Sequence, residues 1–406
     1  MAKHCDKCGN VPDESIVFDF REKAKICEMC IIDLYAVVDK KYAIAPVDTK
    51  KKTNGMEIPS IEGILEHLNK NVIGQDNAKD TIAIAVRNHY KRMSLPDDEK
   101  KLIEKSNILL MGNSGTGKTH LIKTLAEYID VPLMIVDSST YTTSGYVGND
   151  VEDIIKDLYE RSGKSKSRTE KGIVFLDEID KKKKSKDTGG KIEPGGEQAQ
   201  QSFLKLVEGK EITIGKDVID TSNILFISGG AFVGIMDIIK RRQKKSTFGY
   251  GMVDNNVDTE QLTLADVTTE DLIEYGLIPE FVGRFPIITH TNDLSKQEII
   301  NIIKSVDNSI LKQYKKLFQI NDELDLDITQ PAIEEISEMV IRDKIGVRGV
   351  RKVVERALHN VQRHAESIKN DGGRKVIIGK GVICNTSKPV VHDIEGKKIP
   401  VKKYFK

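Results

Sequence analysis

The sequence predicts an α/β protein, a parallel sheet flanked by helices, with a small cysteine-rich module before it and a smaller helical domain after it. Three observations predict this. An apolar strand-like run at 107–111 leads directly into Gly112-Asn113-Ser114-Gly115-Thr116-Gly117-Lys118-Thr119 and a helical stretch at 120–129. A second apolar run, 172–176, ends in Asp177-Glu178. Helical and strand-like patterns alternate around both, as they do where crossovers join parallel strands.

The chain has 406 residues, 63 Lys+Arg against 62 Asp+Glu, and a formal net charge of +1. That balance argues against a dedicated nucleic-acid binder, which carries a clear basic excess on one domain or stripe. With 39% hydrophobic residues and this length, roughly two or three domains with real cores are expected. No run approaches the roughly 18 consecutive apolar residues of a membrane span. The first residues, Met1-Ala2-Lys3-His4-Cys5, also lack a signal-peptide core. A cytoplasmic protein that contacts neither membrane nor nucleic acid is therefore the expectation.

Taken in order, the first element is the cysteine module. Four of the five cysteines, Cys5, Cys8, Cys27 and Cys30, form two short pairs separated by 18 residues. This spacing suits a tetrahedral four-thiolate zinc site with no position left for a catalytic water. Disulfides or reactive thiols are the competing reading, but a cytosolic segment this short needs a metal more than it tolerates a disulfide. The module is placed at 1–44. Residues 45–60, with Pro at both ends and few large apolar side chains, read as a linker.

In the loop 112–119 the glycines let the backbone fold round phosphates so that N–H groups face the anion. Lys118 then reaches the terminal phosphates and Thr119 a magnesium ion. The strand end at Asp177-Glu178 delivers two carboxylates to the same edge of the sheet. Asp177 suits the magnesium shell and Glu178 suits polarising a water. That pairing signals hydrolysis rather than mere nucleotide binding. Cys384 stands apart and reads as an inert buried thiol; the absence of any Gly-x-Ser-x-Gly argues that the chain does not itself cut peptides.

Further segments carry a resemblance: Val72-Ile73-Gly74-Gln75, Asn88-His89-Tyr90-Lys91-Arg92, Gly145-Tyr146-Val147-Gly148, residues 277–284 ending in Gly283-Arg284, and Gly346-Val347-Arg348-Gly349-Val350-Arg351. In this order, with the cysteine module and both nucleotide motifs, the chain resembles ClpX-type protein unfoldases of the AAA+ family over nearly its whole length. The resemblance implies a large ATPase domain at 61–291 and a small domain at 292–406. It further implies ATP, magnesium and zinc as cofactors, and a homohexamer that threads protein substrates into the ClpP peptidase. Adaptors would be read by the zinc module.

Residue by residue, the resemblance places Val72 and Ile73 in the adenine pocket, with Gly112–Thr119 and His120 around the phosphates. It makes Arg284 an arginine finger lent to a neighbouring subunit and Arg348 a sensor of nucleotide state; Ser228 takes a second sensor position at a strand end. Tyr146 and Val147 become pore residues that grip substrate. Two departures stand out. Where the family carries a long basic loop, this chain has only residues 210–220. Where the family docks ClpP through Ile-Gly-Phe, this chain has Phe248-Gly249-Tyr250, a larger first residue and an added hydroxyl. The alternative that follows is a stand-alone remodelling chaperone that does not dock ClpP. A nucleic-acid motor is a further alternative, disfavoured by the charge balance.

Overall fold

The computed structural model describes residues 58–141, 150–184, 195–246, 262–304, 309–343, 346–401 and 404, and the backbone of 17–19 and 25–27. The chain divides after Glu57 into two compact units. In the first, β1 (Val17–Asp19) pairs antiparallel with β2 (Lys25–Cys27), setting Val17 opposite Cys27. Of the expected zinc ligands, Cys5, Cys8 and Cys30 and the Cys27 side chain lie outside the described residues. So do the pore residues Tyr146 and Val147 and the docking residues Phe248, Gly249 and Tyr250.

The second unit is built on a five-stranded sheet. Its strands are β3 (Ile108–Met111), β4 (Leu133–Asp137), β5 (Ile173–Asp177), β8 (Leu225–Gly230) and β9 (Ile287–His290), in the order β4-β5-β8-β3-β9 and all parallel. All four residues of β3 are buried, as a central strand covered on both faces requires. Leu109 and Met111 join one core with Val174, Leu176 and Phe226. Alternation along a strand sends Ile108 and Leu110 to the opposite face. Helices Asp76–Met93 and Lys118–Ile129 pack on sheet strands, and helix Ile61–Asn71 packs on both helices. Helix Asp76–Met93 buries Ala78, Ile82, Val86 and Tyr90 at spacings of four, with Asp76 in its first turn and Lys91 and Arg92 in its last.

Just before β8 in the chain comes a tight antiparallel hairpin, β6 (Glu211–Ile214) with β7 (Asp217–Asp220), whose Ile212 and Ile219 join the large core. It is tied down rather than projecting. The Tyr159 hydroxyl donates to Asp217 at 2.5 Å, the Asp220 amide donates to Glu170 at 3.0 Å, and Lys210 pairs with Glu152.

Beyond β9, residues 291–295 lead into helix Lys296–Lys304 and a second, separate core around Ile303, Phe318, Ile336, Val350 and Leu358. Helices dominate here, as the sequence predicts. A four-stranded sheet also forms, β10 (Asp325–Ile328), β11 (Lys375–Ile378), β12 (Val390–His392) and β13 (Lys398–Ile399), with β10 parallel to β11 and the rest antiparallel. Sequence reading places strands only from Val376 onward. A four-residue run such as β10 is too short for its period to be distinguished from helix.

Cys384 corrects an expectation. It caps the short helix Lys380–Ile383 and is exposed, not buried. Local burial and a hydrogen bond to the Glu335 carboxylate still push its thiol above the ordinary range, so it is no better a nucleophile. Among the described residues no helix is long and apolar enough to cross a membrane.

Candidate functional site

The C-terminal ends of β3, β5 and β8 open into a cleft of about 640 Å³, within the size range of small-molecule sites. One wall comes from the large core and the other from the smaller one. Val72 and Ile73 face Leu294, Ile302 and Ile310 across it, an apolar slot suited to a flat base. Ser114 to His120, Asp177, Glu178 and Arg348 line the remainder.

The loop between β3 and helix Lys118–Ile129 takes its shape from close packing. Gly112 has φ 143°, and a Cβ there would come within 2.1 Å of the Thr291 hydroxyl, so only glycine fits. The helix begins at Lys118, with Gly117 at its N-terminal boundary, so its free amides face the cleft. Lys118 Nζ donates to the carbonyls of Gly112 at 2.5 Å and Asn113 at 3.0 Å. Burial lowers its pKa, against the opposing pull of Asp177 and Asp180. Gly112 and Asn113 thus hold the lysine from behind and do not themselves line the cleft.

The Thr119 hydroxyl donates to Asp177 Oδ2 at 3.0 Å. A hydroxyl and a carboxylate meeting at the mouth of an anion-binding loop is the donor set that magnesium favours. Asp177 Oδ1 accepts from the Glu178 amide at 3.0 Å. Glu178 itself has φ 60°, a left-handed conformation that a glutamate adopts only under constraint. Its carboxylate pairs with Lys181, whose ammonium is held above its ordinary pKa by that hydrogen bond. His120 Nε2 lies 3.1 Å from the Asn71 carbonyl, tying the helix start to the apolar slot.

These geometries agree with two sequence comparisons. An AAA domain (Cdc48 subfamily) model matches residues 103–288. The ATP-dependent Clp protease ATP-binding subunit ClpX of Treponema denticola is 39% identical over 92% of both chains. The corresponding Azotobacter vinelandii protein is 34% identical over 96% of both. The chain belongs to the ClpX family of AAA+ ATPases. The ClpX-type reading drawn from its motifs is therefore right, as are the α/β fold and the ATPase assignment. Nucleotide and magnesium follow from that membership, and the loop with its Thr119–Asp177 pair fits both.

Not every sequence-predicted residue reaches the cleft of this ClpX-family chain. Arg284 lies off it, on an exposed surface, where Nε and Nη2 both donate to Glu208 Oε1 at 3.0 and 2.8 Å. Ser228 sits within β8, two residues short of its end. Its buried hydroxyl has no hydrogen-bond partner among the described residues and does not line the cleft. Sequence reading missed Asp180, whose carboxylate accepts from the Phe232 amide at 3.1 Å, and the small-domain residues Leu294, Ile302 and Ile310. Asp180 follows Asp177 by three, a usable signal. Ile302 and Ile310 carry none beyond helical periodicity, and Leu294, ahead of the helix, carries none.

Proposed function

We propose that the chain is an ATP-driven protein unfoldase and translocase that works as a homohexamer and passes substrates to a ClpP-type peptidase. The supporting observation is the cleft itself, which joins an anion-binding loop, a magnesium-type donor pair and a strained glutamate between two separately cored domains. The names of the relatives, ATP-binding subunits of a Clp protease, support the partnership. Bound nucleotide supplies the phosphoanhydride to be broken, and magnesium supplies countercharge at Thr119 and Asp177.

The remaining roles belong to the chain. Glu178 releases Lys181, accepts a hydrogen bond from water and takes its proton as the attack proceeds. Lys118 leaves the Gly112 and Asn113 carbonyls for the phosphates, stabilising developing charge. Arg284, exposed and remote from its own cleft, serves a neighbouring subunit's cleft and spreads charge on the transferring phosphoryl group. Arg348 and the slot residues Leu294, Ile302 and Ile310 belong to the small domain at 292–406. Nucleotide gripped between the two walls rotates one domain against the other. Tyr146 and Val147 carry that rotation to the substrate. Cys5, Cys8, Cys27 and Cys30 hold structural zinc in the module at 1–44, which recruits adaptors. The linker occupies 45–60 and the large domain 61–291.

Mixing the protein with ATP, purified ClpP and a tagged fluorescent substrate tests this directly. Loss of fluorescence followed by cleavage is expected. Persistent fluorescence would refute the unfoldase reading. Unfolding without cleavage would favour the stand-alone chaperone, which the Phe248-Gly249-Tyr250 departure makes the second reading.

A further inference from the structure

The segment 291–293 joins β9 to the first helix of the small domain, and it is bonded to the phosphate loop at three points. Thr291 and Thr116, 2% and 5% exposed, bring their hydroxyls within 2.7 Å. Either hydroxyl can be the donor of that pair, because each also reaches a backbone carbonyl, Thr116 that of Asn113 at 2.9 Å and Thr291 that of Met111 at 3.3 Å. Asn113 donates to both carboxylate oxygens of Asp293 at 2.8 and 3.0 Å. Gln75 completes the arrangement. Its amide nitrogen donates to the carbonyls of Asn292 at 2.8 Å and Thr116 at 3.3 Å, and its oxygen accepts from the Asn292 amide at 2.7 Å.

The small domain holds the same loop from its other side. The Val347 amide donates to the Gly115 carbonyl at 3.1 Å, and Gly346, φ 64°, approaches so closely that a Cβ would sit 2.7 Å from Gly115. The loop is thus bonded both to the interdomain link and to the small domain.

We propose that Thr291 is a positioning residue for the phosphate loop, supported by Gln75 and Asp293, and that it holds the loop in the shape that takes nucleotide phosphates. This rests on the nucleotide reading of the cleft. The buried hydroxyl pair carries most of the effect, because a hydrogen bond shielded from water is worth more than one whose groups can turn to solvent. The exposed Asn113–Asp293 pair contributes less.

The test is a fluorescent-ADP titration and an ATPase KM and kcat measurement on the full chain. Thr291→Val, which keeps the shape and removes the hydroxyl, is expected to weaken ADP binding and raise KM by about 3- to 10-fold, as loss of one buried hydrogen bond does. Thr291→Ser, which keeps the hydroxyl, should bind within about twofold of the unaltered chain. A packing role would give the opposite order, since serine loses the methyl that valine retains. Asn113→Ala and Asp293→Ala test the outer pair, and the double variant should be no weaker than the weaker single. Unchanged binding in Thr291→Val, a Thr291→Ser as weak as Thr291→Val, or strictly additive losses in the outer pair would each overturn the proposal. If the unaltered chain does not bind ADP better than Lys118→Ala, the nucleotide reading itself fails and the positioning role fails with it.

Discussion

The phosphate-loop region and the surface around Arg284 handle their charges in opposite ways. At the loop, Lys118 and Thr119 at a helix start meet Asp177 and Glu178 at a strand end, and each has a hydrogen-bond partner in or just behind the cleft. Around Arg284 the guanidinium is exposed and, among the described residues, pairs with Glu208 at the far end of helix Gly195–Glu208. The first region is a binding site made by one chain. The second shows a cation presented on a surface and restrained by a weak pair, which under the proposed function is half of a site shared with a neighbour. An exposed ion pair of this kind contributes on the order of 0–1 kcal/mol, little enough to exchange for a phosphate.

The sharpest way to break this contrast is to inactivate each half and mix. Glu178→Gln should lose ATP turnover by about 10²- to 10⁴-fold while still binding nucleotide, and Arg284→Ala should lose about 10³-fold or more. Mixed hexamers of the two should recover a measurable part, because an intact cleft then meets an intact arginine. Steady-state ATPase of the mixture decides the matter: recovery no greater than the sum of the two variants means that Arg284 does not serve a neighbour's cleft.

A smaller effect concerns the slot. Ile302→Ala should raise the KM for ATP by about tenfold with kcat little changed, since it removes apolar contact with the base and no charge. If kcat fell and KM held, Ile302 would act on domain rotation instead. Smaller again, Glu208→Gln should change ATPase by less than about threefold, in keeping with an exposed pair. A large loss there would mean that Glu208 aims the arginine.

The last prediction compares two buried lysines. Lys118 is lowered by burial but has Asp177 and Asp180 near it. Lys105 has its Nζ enclosed on the carbonyls of Val207 and Thr221 and over the Phe226 ring; burial, with Arg92 nearby, lowers it to about 7. The unfolded chain holds that proton up to the ordinary lysine range. Between about pH 7 and 10 the unfolded state therefore binds more protons, and this group's contribution to stability rises with pH. Melting temperatures at pH 7.5 and 9.5 should show that rise in the unaltered protein and a smaller one in Lys105→Met. Equal slopes would refute it.

How much was legible in advance follows from how contiguous each feature is. The loop 112–119 and Asp177-Glu178 each lie in one run, so residue type and spacing carry their expected chemistry, and the structure brings Ser114–Thr119, Asp177 and Glu178 to one cleft. The bracket of Gln75 on Asn292 spans 217 positions. Neither residue bears a charge or a motif of its own that points to the other. Thr291 likewise gains its importance only from Thr116 lying across it. Ser228 shows the opposite case, a position inferred from a strand end that moved when the strand ran two residues further.

By itself, then, the sequence determined the family and the α/β fold and singled out the candidate nucleotide residues, because strand period, loop glycines and adjacent carboxylates act locally. Only the tertiary structure decided that the apolar slot is shared between two cores and that the interdomain link grips the phosphate loop. It likewise decided that Arg284 stands outside its own cleft. Those depend on which distant surfaces pack together, and side-chain hydrogen bonds are too short in reach to be specified before that packing exists.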